Sequence, residues 1–170
     1  GFRSSLRRGL SLDTTIFRMD YENQLVPASL SGGVGATLTN GGSTLHQGIE
    51  LRAQLDSAPI TGSVHDLYVR VAYTYLPTAT FTGTRFSSVS GFASTSVSGN
   101  RLPYAPEQTA VVTLGYAADR LDMSLEAVRT GAQFGDDLNT VAPTPDGQRG
   151  RIPANTVWNA AVNYTLARST

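Results

Sequence analysis

The sequence predicts an all-β fold, an antiparallel up-and-down meander, from the period of its apolar residues and the lengths of its connections. Several segments alternate apolar and polar residues, and a period of two places the two sets on opposite faces of an extended strand. Short connections alternate along the chain with long ones that are rich in Gly, Ser, Thr and Pro. No window of comparable length carries a helical period, so the pattern favours strands throughout.

The first predicted strand covers residues 10–22, "LSLDTTIFRMDYE". Its two halves differ in parity. Leu10, Leu12 and Ile16 occupy one face, whereas the apolar residues that follow occupy the other, namely Phe17, Met19 and Tyr21. A β-bulge within the strand would reconcile the two halves, because one extra residue reverses the parity of every residue after it.

The second predicted strand, residues 45–56, alternates almost without error. One face carries Leu45, Ile49, Leu51, Ala53 and Leu55. The other face carries His46, Glu50, Arg52, Gln54 and Asp56. Gly48 also lies within this strand, and a residue without a side chain allows a bend or the close approach of something in the lumen.

The same period continues in residues 67–75, 109–116, 121–129 and 157–166. Their apolar faces carry Leu67, Val69, Val71, Tyr73 and Tyr75; Ala110, Val112, Leu114 and Tyr116; Leu121, Met123, Leu125 and Ala127; and Trp158, Ala160, Val162, Tyr164 and Leu166. Several of the aromatic residues stand near strand ends, where the interfacial girdle of a membrane barrel lies.

The connections predict two unlike ends for this sheet. Residues 117–120 form a tight turn and residues 57–66 a moderate one, whereas residues 23–43, 77–107 and 133–155 form long loops. Transmembrane β-barrels have short periplasmic turns, long extracellular loops and strands of roughly 9–11 residues. In that interpretation the apolar strand faces meet lipid and the polar faces line a lumen. A soluble β-sandwich, whose strands also alternate over a core, remains open on periodicity alone.

Composition excludes several classes of function. Basic and acidic side chains number 13 each, so the formal net charge is zero and nothing indicates nucleic acid as a partner. The absence of cysteine excludes disulfide frameworks, cysteine metal sites and thiol catalysis. His46 lies on a strand, His65 lies in a turn, and no hydroxyl joins either in a nucleophile–base pattern, so we predict that the protein is not an enzyme. No apolar run reaches the roughly 18–20 residues of a transmembrane helix.

The sequence predicts structural roles, and no catalytic or metal-binding role, for the charged residues of the loops and of the polar strand faces. Asp136, Asp137 and Asp146 lie in a predicted loop with a spacing unlike that of an EF-hand, so we expect solvated carboxylates and no metal site. We expect a lumenal polar network from the charged residues of the polar strand faces, namely Glu50, Arg52, Arg70 and Glu126.

Longer stretches resemble the C-terminal half of the barrel of TonB-dependent outer-membrane receptors. They are "MDYENQ" (19–24) followed by "STLHQGIEL" (43–51), "GNRLPYAPEQTAVVTLGY" (99–116), and "AQFGDDLNTVAPTPDGQRGRIPANTVWNAAVNY" (132–164). The last is most similar to receptors of the ferric-citrate type. The resemblance implies that residues 1–170 are one segment, of about six or seven strands, of a larger β-barrel. The plug domain and the closing strands are expected outside it, and the charged residues Glu50, Arg52, Arg70 and Glu126 of the polar faces would contact that plug.

The resemblance also implies a function, namely uptake of a ferric chelate, a siderophore or ferric citrate, across the bacterial outer membrane by TonB-coupled active transport. The implied partners are the TonB complex, reached through a missing N-terminal part, the chelate, and outer-membrane lipid with lipopolysaccharide around a monomeric barrel. No resident cofactor is expected, because the Fe(III) chelate is cargo. The alternatives are a passive outer-membrane porin or structural barrel, and a soluble β-sandwich binding module.

An anionic chelate calls for arginines and for amide or hydroxyl donors on the outer loops. Arg85 and Arg101 lie in the predicted loop 77–107. Ser29 falls near the position at which receptors of the ferric-citrate type contribute a polar contact. We therefore predict Arg85, Arg101 and Ser29 as ligand-binding residues.

Overall fold

The computed structural model describes residues 1–22, 25–27, 38–40 and 42–166. In chain order its strands are β1 (Phe2–Arg7), β2 (Leu10–Tyr21), β3 (Leu25–Pro27), β4 (Leu38–Asn40), β5 (Ser43–Asp56), β6 (His65–Thr82), β7 (Gln108–Ala118), β8 (Leu121–Thr130), β9 (Gln133–Phe134), β10 (Arg151–Ile152) and β11 (Asn155–Tyr164). A helix of four residues, α1 (Ala58–Thr61), follows β5. Within the described ranges, no helix has the length and apolar character needed to cross a membrane.

The main sheet has seven strands in the order β1-β2-β5-β6-β7-β8-β11, and all of its neighbours are antiparallel. Two small ribbons, β3–β4 and β9–β10, stand apart from it. The predicted all-β meander is therefore confirmed. Three short connections, at residues 8–9, 57–64 and 119–120, join the strands at one end of the sheet, which we call the short-turn end. Residues 83–107 and 131–154 connect strands at the opposite end, which we call the long-loop end.

Cross-strand pairing aligns the alternating residues in rows across the sheet. One row is apolar and consists of Leu10, Leu55, Val69, Leu114, Leu125 and Ala160. The row one residue away points to the opposite face and is polar, consisting of Ser11, Gln54, Arg70, Thr113, Glu126 and Asn159. We call these the outer and the inner face. The predicted division of the strands into one apolar and one polar face is thus confirmed.

No second layer covers the outer face within the described part of the chain. Leu114 and Leu125, in the middle of the apolar row, are 53% and 45% exposed. A β-sandwich would bury such a row beneath another sheet, and the described residues add only two-stranded ribbons. Because apolar surface left in water forfeits about 25 cal/mol per Å², an exposed row of this extent suits lipid as its surroundings.

The parity change in β2 has another cause than the one predicted. β2 pairs with β5 along its whole length without a shift of register, so the predicted bulge in β2 is wrong. Instead, Phe17 lies on the inner face beside Gly48, while Arg18 and Asp20 form an exposed ion pair of 2.9 Å on the outer face. Toward the long-loop end the apolar side chain of Phe17 therefore lies on the inner face and the charged side chains lie on the outer face. This is the reverse of the arrangement in the half of β2 nearer the short-turn end.

The register does shift between β5 and β6, at Gly48, which faces the extra residues Leu76 and Pro77. A Cβ atom at Gly48 would lie 2.6 Å from the carbonyl oxygen of Tyr75 and 2.7 Å from Cζ of Phe17. The irregularity that was predicted at Gly48 is therefore present, and the groups that approach it belong to the two neighbouring strands. Beyond this bulge β6 continues to its end, so the loop begins several residues later than the sequence predicts.

Candidate functional site

The 83–107 loop continues the sheet at the long-loop end. The N–H of Phe81 donates to the carbonyl of Asn100 (3.0 Å), and the N–H of Gly99 donates to the carbonyl of Phe81 (2.9 Å). The N–H of Leu102 donates to the carbonyl of Ala79 (2.7 Å). The last residues of β6 therefore have a hydrogen-bonded partner on both edges, β5 on one side and this loop on the other.

A hairpin inside this loop packs against the inner face. The N–H of Val97 donates to the carbonyl of Arg85 (3.0 Å), and the N–H of Ser87 donates to that of Thr95 (2.8 Å). Val97 is fully buried, and Phe81, which shares the inner face with Thr44, is 4% exposed. The hairpin thus lies over the inner side of the sheet at the long-loop end, which we call the mouth.

Arg85 lies at this mouth. Its guanidinium carbon stands 4.3 Å from the centroid of the Phe81 ring, a cation–π contact with an inner-face residue. Burial lowers the pKa of the Arg85 guanidinium, and the negative charge of Asp137 opposes that shift. Since an arginine stays charged even so, the arrangement presents a held cation beside an aromatic surface.

Arg101 donates hydrogen bonds to the backbone of the β6 bulge. Its Nη2 donates to the carbonyl of Leu76 (2.6 Å) and its Nη1 to that of Pro77 (3.1 Å), the two residues that the bulge leaves outside the β5 register. Its Nε donates to the carbonyl of Ala105 (2.8 Å). Burial lowers the pKa of Arg101, and the nearby charge of Glu107 opposes this. The guanidinium therefore ties the 83–107 loop to β6.

Asp137 joins the 83–107 loop to the 135–150 loop. Its Oδ1 accepts the hydroxyl of Ser87 (2.7 Å), and its Oδ2 accepts both the N–H (2.9 Å) and the hydroxyl (2.8 Å) of Ser88. The side-chain amide of Asn100 donates to the backbone carbonyl of Asp137 (2.8 Å). With these donors the carboxylate is 4% exposed. The prediction of a solvated carboxylate is wrong here, because loop donors replace water.

Asp136 is buried as well and organises its own loop. Its Oδ1 accepts the N–H of Leu138 (3.0 Å) and the hydroxyl of Thr140 (2.9 Å), while Oδ2 accepts the N–H of Gly150 (3.3 Å). The prediction of a solvated side chain is wrong for Asp136 for the same reason. Asp146 is exposed as predicted, and hydrogen bonds from Thr144 and from the backbone of Gln148 lower its pKa.

The predicted ligand-binding residues are thus placed only in part. Arg85 and Arg101 both belong to the 83–107 loop, with Arg85 against the inner face and Arg101 against the bulge. Ser29 lies outside the described residues. The link made by Asp137 was missed by the sequence analysis. The "GDDLN" stretch contained a signal, because Asp and Asn in loops commonly accept backbone N–H groups, whereas strand periodicity says nothing of loops.

The four charged residues predicted to form one lumenal network do not bond to one another. Glu126 accepts the hydroxyl of Thr113 (3.2 Å) and the amide of Asn159 (3.1 Å), so its partners are neutral. Within the described part of the chain, neither Arg52 nor Arg70 forms an ion pair. A single network of the four charged residues was therefore wrong, although all four do lie on the inner face.

The fold and the site together define a class of protein. An apolar outer face, a polar inner face, short turns at one end and long loops folded over the inner face at the other make up a wall of a transmembrane β-barrel. The chain belongs to the TonB-dependent receptor family, since the family model described as TonB dependent receptor-like, beta-barrel, matches residues 1–169. This places it in the bacterial outer membrane.

Solved structures agree with that assignment. The chain is similar to the ferric citrate transporter FecA in the unliganded form, with 25% identity and a TM-score of 0.68 over 97% of this chain and 22% of that chain. It is similar in fold to the siderophore receptor PiuA from Acinetobacter baumannii, with 24% identity and a TM-score of 0.61 over 94% of this chain and 20% of that chain. It is also similar in fold to PirA, a siderophore receptor of the same species, with 18% identity and a TM-score of 0.60 over 95% of this chain and 24% of that chain. The chain therefore spans about a quarter or less of these structures.

Proposed function

We propose that this chain is part of a receptor that takes up a ferric chelate across the outer membrane by TonB-coupled active transport. The observation that carries the proposal is the packing of the 83–107 loop on the inner face, with Arg85 over Phe81. It sets a held cation at the mouth of the lumen, where an anionic chelate enters. The similarity to FecA supports ferric citrate as a candidate cargo, and a ferric siderophore is the other member of the class.

We propose Arg85, Arg101 and Ser29 as cargo contacts. Arg85 has the most direct position, at the lumen mouth. Arg101 donates three of its five N–H groups to backbone carbonyls, so the others are the ones that would reach cargo. Ser29 is proposed on the resemblance alone.

The remaining parts of the transport machine belong to the complete receptor. In the described sheet, β1 and β11 are the edge strands, and a closed barrel leaves no edge. We propose that other parts of the same polypeptide supply the closing strands, the plug that fills the lumen and the segment that contacts the TonB complex. The barrel would stand as a monomer in lipid and lipopolysaccharide.

Uptake of radioactive iron by cells that depend on the complete receptor tests this function. We expect accumulation of iron from ferric citrate or a ferric siderophore, and we expect it to stop when a protonophore collapses the inner-membrane gradient or when TonB is deleted. A passive porin, the alternative class, would admit the solute at the same rate under all three conditions. Uptake that ignores both treatments would therefore contradict the proposal.

A further inference from the structure

The cargo contact proposed at Arg85 lies at the base of a hairpin that a neighbouring loop attaches to the mouth. The N–H of Val97 donates to the carbonyl of Arg85 (3.0 Å) and closes the base of this hairpin. The Arg85 guanidinium lies over the Phe81 ring, and a Cβ atom at Gly42 would lie 3.6 Å from Cδ of Arg85. The position of this charge therefore depends on how firmly the hairpin is attached.

The attachment is made by one residue of the 135–150 loop. Asp137 accepts the hydroxyl of Ser87 (2.7 Å), two residues after Arg85, and both the N–H (2.9 Å) and the hydroxyl (2.8 Å) of Ser88. On the other side of the hairpin, the side-chain amide of Asn100 donates to the backbone carbonyl of Asp137 (2.8 Å). Asp137 and Ser87 are both buried, so water does not compete for these bonds.

The loop that carries Asp137 is itself fixed. The preceding residue, Asp136, accepts the N–H of Gly150 (3.3 Å) and so joins the start of the loop to its end. The Arg149 guanidinium carbon lies 5.4 Å from the centroid of the Phe92 ring, which gives the loop and the hairpin another contact. The carboxylate of Asp137 is therefore a fixed point for the hairpin.

Asp137 does not act on Arg85 as an ion-pair partner. Both of its carboxylate oxygens accept from serine donors, and no ion pair joins these two described residues. The negative charge of Asp137 by itself would repel an anionic solute at the mouth. Replacement of the carboxylate by an amide thus distinguishes two effects, because charge alone predicts tighter binding of an anion and positioning predicts weaker binding.

We propose that Asp137 is a positioning residue for cargo, which presets Arg85 at the mouth through Ser87 and Ser88 and so raises the affinity for an anionic ferric chelate. The inference rests on the proposed function, in which Arg85 contacts that chelate. A side chain that is in place before cargo arrives loses less conformational entropy on binding, and a guanidinium with a fixed direction presents its fork to a carboxylate. The 135–150 loop thus contributes to cargo affinity through the hairpin that it attaches.

Titration of ferric citrate into the purified complete receptor at low salt tests the role of Asp137. Asp137→Asn removes one acceptor oxygen, and Ser87→Ala removes a hydroxyl donor without a change of charge. We expect each to weaken ferric citrate binding about threefold to tenfold, because the hairpin then populates conformations that misplace Arg85. Asp146→Asn, the same substitution at an exposed position of the same loop, should not weaken binding. Ser87→Ala decides the question if Asp137→Asn does not fold.

A double-substitution cycle separates positioning of Arg85 from a general loss of loop structure. Arg85→Gln should itself weaken ferric citrate binding about tenfold, and Asp137→Asn should cause no further loss in that background. A purely structural role of Asp137 would weaken binding by the same factor in both backgrounds. Hydrogen exchange of residues 85–97 without cargo should be faster in Asp137→Asn than in the parent, because exchange reports the attachment of the hairpin directly.

Three results would overturn the positioning role while Arg85 remains a cargo contact. They are equal or tighter ferric citrate binding by Asp137→Asn, the same loss from that substitution with and without Arg85, and unchanged hydrogen exchange of the hairpin. Failure of the proposed function is distinguishable from these results. Full affinity in Arg85→Gln, or no ferric citrate binding by the parent, would remove the cargo contact itself and the positioning role with it.

Discussion

Arg101 and Asn139 bond each other in both directions across two loops. The backbone N–H of Arg101 donates to Oδ1 of Asn139 (2.8 Å), and Nδ2 of Asn139 donates to the backbone carbonyl of Arg101 (2.7 Å). Asn139 adopts a left-handed conformation with φ of 55°, which asparagine tolerates better than most residues. Because the Arg101 guanidinium also holds the bulge of β6, this pair joins both long loops to the barrel wall.

Substitution of Asn139 should loosen both loops together. Asn139→Ala removes both hydrogen bonds to Arg101 and a longer one to the carbonyl of Asp136 (3.4 Å). It also places a residue with a Cβ atom but no polar side chain at positive φ, and we expect the loops to be destabilised by about 2–4 kcal/mol. Asn139→Gly is the control, because glycine removes the same bonds and accepts the conformation without strain. Hydrogen exchange of the Arg101 amide in the complete receptor measures the effect. Unchanged exchange in Asn139→Ala would show that the pair does not hold the loops.

Substitution of the two candidate arginines should separate cargo binding from loop structure. Arg85→Ala removes a charge at the mouth and should weaken ferric citrate binding about tenfold or more, most strongly at low salt. Arg101→Ala should also release the carbonyls of Leu76 and Pro77 and so increase proteolytic cleavage in the 83–107 loop. Equilibrium binding and limited proteolysis of the complete receptor measure the two effects. Full affinity in Arg85→Ala would remove that residue from the site.

Substitution of the buried carboxylate at Asp137 should release the hairpin. In Asp137→Asn, an NH₂ group replaces one of the two oxygens that accept from Ser87 and Ser88, so at least one buried donor loses its acceptor. We expect a loss of about 1–3 kcal/mol in local stability. Asp146→Asn, on the same loop but exposed, should change it by less than about 0.5 kcal/mol. Protease sensitivity of residues 85–97 is the readout, and equal sensitivity in the two variants would contradict the role given to Asp137.

Opposite faces of β7 should respond differently to the same substitution. Val112 lies in the outer face and Val111 in the inner face, one residue apart in the middle of the strand. Val112→Arg places a charge against lipid and should cost about 2–4 kcal/mol near the midplane, whereas Val111→Arg points into a polar lumen and should cost little. Unfolding of the complete receptor in lipid vesicles measures both free energies. Equal values would mean that the face assignment is wrong.

Strand periodicity was enough to predict the sheet, because the register repeats one simple contrast on every strand. The apolar row through Leu55, Val69 and Leu114 follows directly from alternation in the sequence. The bulge was misplaced, since a parity change in β2 looks the same in sequence whether an extra residue or a change of surroundings produces it. Here the surroundings change, because Phe17 occupies the space that Gly48 leaves on the inner face, while Arg18 and Asp20 form an ion pair on the outer face.

The loops could be predicted much less well, because their contacts join residues far apart in the sequence. The Asp137 carboxylate accepts hydrogen bonds from Ser87 and Ser88, about 50 residues away, and no local sequence pattern predicts a contact over that separation. Arg85 and Arg101 could be selected as loop arginines but not told apart. The structure shows that one guanidinium lies over an aromatic ring at the mouth while the other holds backbone carbonyls of a bulge.

Labelling of single cysteines in intact cells tests the central claim most directly, since this chain contains no cysteine of its own. Ser94 is exposed in the hairpin at the long-loop end, and Ser63 is exposed in a connection at the short-turn end. With a membrane-impermeant thiol reagent, we expect Ser94→Cys to be labelled in intact cells and Ser63→Cys only after the outer membrane is permeabilised. Labelling of Ser63→Cys in intact cells while Ser94→Cys stays protected, or equal labelling of both, would contradict a barrel wall whose long loops face outward.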